Sequence, residues 1–128
     1  MKKLFISCPM KGRTMENIQK SIEKMHKIAE AIFEQELEVI DTYIKVEDPD
    51  ELPNPPVWHL GESIKKMAEA DYFIGVGYTN YFHGCSIEAE VAKAYGIRHI
   101  QVSIEDVMPD AYEIETESWQ IEKENNNA

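Results

Sequence analysis

Between Asp71 and Gly96 the chain reads DYFIGVGYTNYFHGCSIEAEVAKAYG, and this stretch constrains the fold most. Tyr72 to Val76 is an apolar run with the length and composition of a strand buried on both faces. A loop rich in Gly, Tyr and Asn follows it. Gly84-Cys85-Ser86 then opens a helix, which places Glu88 in its first turn. A strand, a polar crossing loop and a helix N-terminus form the ligand-binding corner of an open α/β sheet.

The same alternation runs through the rest of the chain. Leu4–Ser7 predicts a first strand, and Cys8–Arg13 a loop holding Pro9 and Gly12. Thr14 is the expected N-cap of the next helix, with Asn17 where a capping box has Glu or Gln. Ile18, Ile22, Met25, Ala29, Ile32 and Phe33 recur at helical spacing and predict one buried face. Leu37–Ile40 predicts a second strand ending at Asp41. Pro49, Pro53, Pro55 and Pro56 make residues 45–57 a long loop. A second helix is expected over Trp58–Ala70, and a fourth strand over Ile97–Val102. Tyr112–Ile114 is a possible fifth strand, and residues 122–128 read as a disordered tail. The expectation is one α/β domain over residues 1–121. It is three-layered and flavodoxin- or Rossmann-like, with a parallel sheet of four or five strands in order 2-1-3-4(-5). Leu4–Ser7 and Tyr72–Val76 should lie side by side at its centre.

Charge narrows the partners. The 128 residues carry 24 Asp and Glu against 13 Lys and Arg, a formal charge of −11. Such a chain repels a nucleic-acid backbone. A small nucleoside or nucleotide needs only a local pocket and stays open. No apolar run approaches the about 20 residues of a membrane span. The opening Met1–Ile6 is too short for a leader, so a cytoplasmic setting is expected. Cys8 and Cys85 lack metal-like spacing and read as free thiols. His26, His59, His83 and His99 show no HxxH or HExxH spacing, so neither a metal nor a cofactor is expected. Trp58, Tyr78, Tyr81, Phe82 and Trp119 are many large aromatics for loops and termini. They predict a homodimer or larger, which light scattering reads against a 14.8 kDa monomer.

In this topology a ligand lies outside the carboxyl ends of the first and third strands. The loops meeting there supply Ser7, Cys8, Pro9, Met10 and Gly12 on one side, and Gly77, Tyr78, His83, Gly84 and Ser86 on the other. Asp41, at the end of the second strand, is close by. A first-turn Glu88 would be kept ionised by the helix N-terminus, as suits a nucleophile or an electrostatic stabiliser. It can equally serve only to complement the helix end. Glu90 points about 200° away at about 100° per residue, so the two cannot share a pocket. The amides of the Ser7–Gly12 loop can meet a phosphate or a sugar, but the loop lacks both GxGxxG and GxxxxGK[ST]. Cys8 has no evident base and reads as a buried thiol. His26 is expected in solvent and His83 near a ligand. Tyr78, Tyr81 and Phe82 can stack on a base or pack on a second subunit.

FISCPMKG at the start, the Trp58 helix and AEADYFIGVGYTNYFHGCSIEAEVAKAYGI together resemble the nucleoside 2-deoxyribosyltransferase-like superfamily. The likeness spans roughly Lys3 to Val102, and its most specific piece is Gly84 to Ala92. It implies that Glu88 attacks the anomeric carbon of a nucleoside, and that Ser7–Gly12 holds the sugar or its 5′ group. The family's base-contacting aspartate lies eight residues before the strand-opening aspartate. Here those positions are Ser63 and Asp71, with Glu62 adjacent as the nearest acid. A second family acid falls near Phe82. The resemblance therefore implies N-glycosidic cleavage or transfer with Glu88 as nucleophile and Glu62 as the available partner. The alternative is a nucleotide-binding or sensing module that uses the same corner without turnover. A blander third reading is a structural domain acting through oligomerisation.

Overall fold

The computed structural model describes residues 1–44 and 46–114. Four strands, β1 (Lys2–Ser7), β2 (Leu37–Val39), β3 (Tyr72–Gly75) and β4 (Arg98–Gln101), form one parallel sheet in the order β2-β1-β3-β4. The central pair is β1 and β3, as expected, with Phe5 beside Phe73 and Ser7 beside Gly75. Helices α1 (Met15–Phe33), α2 (Pro55–Met67) and α3 (His83–Ala94) make the crossovers. Two short helices, α4 (Ile104–Val107) and α5 (Ala111–Ile114), follow β4. This is a Rossmann-like α/β fold. No helix among the described residues is long and apolar enough to cross a membrane.

The two-residue period of β1 and β3 assigns their side chains to opposite layers. Leu4, Ile6 and Ile74 pack with Ile18, Met25 and Ala29 of α1 and with Val107. Phe5 and Phe73 stack on the other face, ring centroids 5.7 Å apart, among Met67, Ala89 and Ala92. Ser7 lies two residues beyond Phe5 and so points to the layer of α2 and α3. Gly75 beside it is required: a Cβ there would stand 2.8 Å from the Phe73 ring and 3.2 Å from Ser7 Cβ.

Three expectations change. The fifth strand is absent among the described residues, because Tyr112–Ile114 falls within α5. The second helix starts at Pro55 rather than Trp58. Pro55 and Pro56 occupy its first two positions, where a missing N–H costs nothing. His26 is half-buried, its Nε2 lying 2.9 Å from the Leu37 carbonyl oxygen. The Thr14 cap is as expected, with its hydroxyl accepting from the Asn17 N–H at 3.2 Å. The expected domain end at residue 121, the tail and Trp119 lie outside the described residues.

Candidate functional site

Helix α3 turns Cys85, Glu88, Ala89 and Ala92 inward. This is the i, i+3, i+4, i+7 stripe of a helix packed on a sheet. Three of the four are small or apolar. Glu88 breaks the pattern, being a carboxylate that is 8% exposed. Its Oε1 accepts the Ser7 hydroxyl at 2.7 Å and its Oε2 accepts the Ser63 hydroxyl at 2.5 Å. One hydroxyl comes from the end of β1 and the other from α2. Both carboxylate oxygens are thus fixed by elements far apart in sequence.

Because α3 begins at His83, Glu88 lies in its second turn, and the first turn holds no acid. The helix end therefore does not set its charge in the way expected from the sequence. Burial pushes the Glu88 carboxyl above its ordinary value, and the Ser63 and Ser7 hydroxyl bonds pull it back. The orienting groups are serine hydroxyls and not helix N–H groups.

A cavity of about 700 Å³ opens in front of Glu88, lined by Phe5 and Ile6 of β1 and by residues that follow β1, β2 and β3. Cys8, Met10 and Lys11 line it from the β1–α1 loop. Thr42 and Ile44 line it beyond β2. Helix α2 and the residue before it contribute Asn54, Pro56, Val57, His59, Leu60 and Ser63. Tyr81, Phe82, His83, Gly84, Cys85 and Ile87 complete the wall with Glu88. Among the described residues Glu88 is the one carboxylate on it. Its volume is within the range that holds small molecules, and its wall is mainly apolar with a few polar groups.

Several expected site residues stand elsewhere. Glu62 pairs with Lys65 at 2.8 Å and faces away from the cavity wall. A helix separates consecutive residues by about 100°, so Glu62 and Ser63 cannot both face Glu88. The Asp41 carboxylate accepts from the Tyr43 N–H at 2.9 Å, leaving Thr42 and Ile44 to line the cavity. Tyr78 is 79% exposed, with its hydroxyl on Asn80. Gly77 has φ +73° and packs against Gln101. The Ser86 hydroxyl is held by the backbone of Thr79, accepting from its N–H at 2.7 Å and donating to its carbonyl at 2.8 Å. Gly12 makes the expected positive-φ turn. Pro9 takes part through its carbonyl, which accepts from Arg13 at 2.7 Å. Neither Pro9 nor Gly12 lines the wall. Cys8, Met10, Ser63, His83, Gly84 and Glu88 do, and Ser7 reaches the site through Glu88.

Both thiols are unsuited to nucleophilic chemistry. Burial pushes Cys8 up to about 11 and Cys85 up to about 12. Cys8 instead receives Arg13 Nη1 at 3.7 Å.

Arg13 was not singled out by sequence. Its side chain is fully buried, and its guanidinium bonds both Asp110 oxygens at 2.8 and 2.9 Å. It also donates to Ser21 Oγ at 2.6 Å and to the Asn17 carbonyl at 3.1 Å. This pair ties the loop that walls the cavity to the segment beyond α4. His59 was missed as well, although it precedes Ser63 by one helical turn and so shares its face of α2. No family model, curated protein or solved structure matches this chain.

Proposed function

We propose that the protein cleaves or transfers an N-glycosidic bond of a nucleoside or nucleotide, with Glu88 as the nucleophile. The observation that carries this reading is the buried Glu88 carboxylate, held through both oxygens by Ser7 and Ser63 at the wall of a small-molecule cavity. A nucleophile must be aimed before it can attack, and two rigidly placed hydroxyls aim this one. In this reading a Glu88 oxygen bonds to the anomeric carbon as the bond to the base breaks, and the base leaves with that electron pair. Water or an acceptor base then attacks the same carbon and releases Glu88. The negative charge also stabilises an oxocarbenium-like transition state. The resemblance to nucleoside 2-deoxyribosyltransferases supports the same role for Glu88. The protein would act as a cytoplasmic homodimer or larger assembly on a small-molecule substrate.

The test is base release from ribo- and deoxyribonucleosides and their 5′-monophosphates, with Glu88→Gln as the control. Gln keeps the shape but cannot form the ester. The expected outcome is release by the native protein and a loss of at least about 10³-fold in Glu88→Gln, the scale seen when a catalytic residue is removed. Glu90→Gln, on the exposed face of α3, should match the native rate. Native-like release by Glu88→Gln would reject the reading. Saturable nucleotide binding without any release would favour the binding-module alternative.

A further inference from the structure

Departure of a neutral base requires a proton, and Glu88 cannot supply it while acting as nucleophile. Glu62, the acid nearest in sequence, is turned away and paired with Lys65. Among the described residues the cavity wall offers two imidazoles, His59 and His83, and no second carboxylate. His83 is the first residue of α3. His59 has the Asp48 carboxylate 3.8 Å from its Nε2, a partner for an imidazolium. The ring also meets Trp58 edge-on at 5.0 Å, and its side chain is about half exposed at the cavity wall. His59 also precedes Ser63 by four residues on α2, which is about 6 Å of helix rise. Ser63 in turn touches Glu88. His59 and Glu88 line the same cavity.

We propose that His59, paired with Asp48, is the acid that protonates the departing base. This rests on the glycosidic reading above. In the first step the C1′–N bond breaks and its electron pair goes to the base. The His59 imidazolium gives the base a proton, and Glu88 bonds C1′. In the second step neutral His59 takes a proton from the incoming water, whose oxygen displaces Glu88. The sum is nucleoside plus water giving free base plus sugar, with both side chains restored.

The test compares guanosine with 7-methylguanosine, each as the ribo- and the 2′-deoxyribonucleoside. The methylated base is already cationic and leaves without a proton. His59→Gln should slow guanine release by at least about 100-fold, the usual worth of general acid catalysis. With the protein in excess over substrate, so that the first step alone is read, release of 7-methylguanine should change by less than about threefold, which also shows that the variant is folded. Glu88→Gln should abolish both. Equal loss on the two substrates, or no loss on guanosine, with Glu88→Gln inactive, overturns the role of His59 and leaves the glycosidic reading standing. Release by Glu88→Gln, or no release from any of the four substrates by the native protein, overturns both.

Discussion

Glu88 is the residue on which the account turns, and its energetics are the reverse of a structural carboxylate's. Burial disfavours its charged form, so its folded-state value is raised above the ordinary 4.5. A raised acid binds its proton more tightly in the folded state than in the unfolded chain. Its contribution to stability is therefore complete below about pH 4.5 and is lost as pH rises through the folded value. Gln cannot ionise and escapes that loss. Glu88→Gln should melt higher than the native protein at pH 7, and the difference should close as pH falls to 4. Calorimetry across that range reads it; a variant that melts lower at pH 7 contradicts the description of the site. Stability gained by removing a charged group is a mark of function held at the expense of the fold. At this scale the burial of Glu88 was legible because it shares the helical face of Cys85, Ala89 and Ala92, which Glu90 does not. His59 was not, because its proposed role rests on Asp48, eleven residues away in a proline-rich loop.

The elements were largely legible because each has a strong local period. Strands β1 and β3 are short apolar runs, and α1 repeats its apolar face over 19 residues. The errors fell where packing or position overrides propensity. Tyr112–Ile114 has strand-like composition, yet Asp110 just before it is drawn to Arg13 and the segment coils into α5. Long-range pairing of this kind leaves no local trace in sequence. It also yields a measurable consequence. Asp110→Asn leaves the buried Arg13 guanidinium without its counter-charge, which costs about 3–5 kcal/mol. Arg13 holds the Asp110 carboxyl below its ordinary 3.8, so this stabilisation is present above pH 3.8 and fades as pH falls through the lowered value. Urea titration should find the full deficit at pH 7 and a narrowing gap below pH 3.8. A deficit under about 0.5 kcal/mol at pH 7 would place Arg13–Asp110 among pairs that contribute little.

For the whole molecule, the sheet order and the position of the cavity follow from the alternation of strands and helices, and both were readable in advance. The cavity wall was readable in part. Tyr78, Gly77 and Ser86 were expected there, but Tyr78 is exposed, Gly77 packs against Gln101 and the Ser86 hydroxyl is held by the Thr79 backbone. The long loop and α2 supply the opposite wall instead, and Met10, Val57 and Ile87 leave its rim apolar and exposed. In the proposed function the sheet, the cavity and the two serines converge on a single oxygen-to-carbon bond. The most direct measurement is the intact mass of the protein quenched in acid during turnover of a nucleoside. The account predicts a population heavier by one glycosyl unit, mapped to the peptide containing Glu88 and missing from Glu88→Gln. Base release at the native rate with no adduct on that peptide would contradict it.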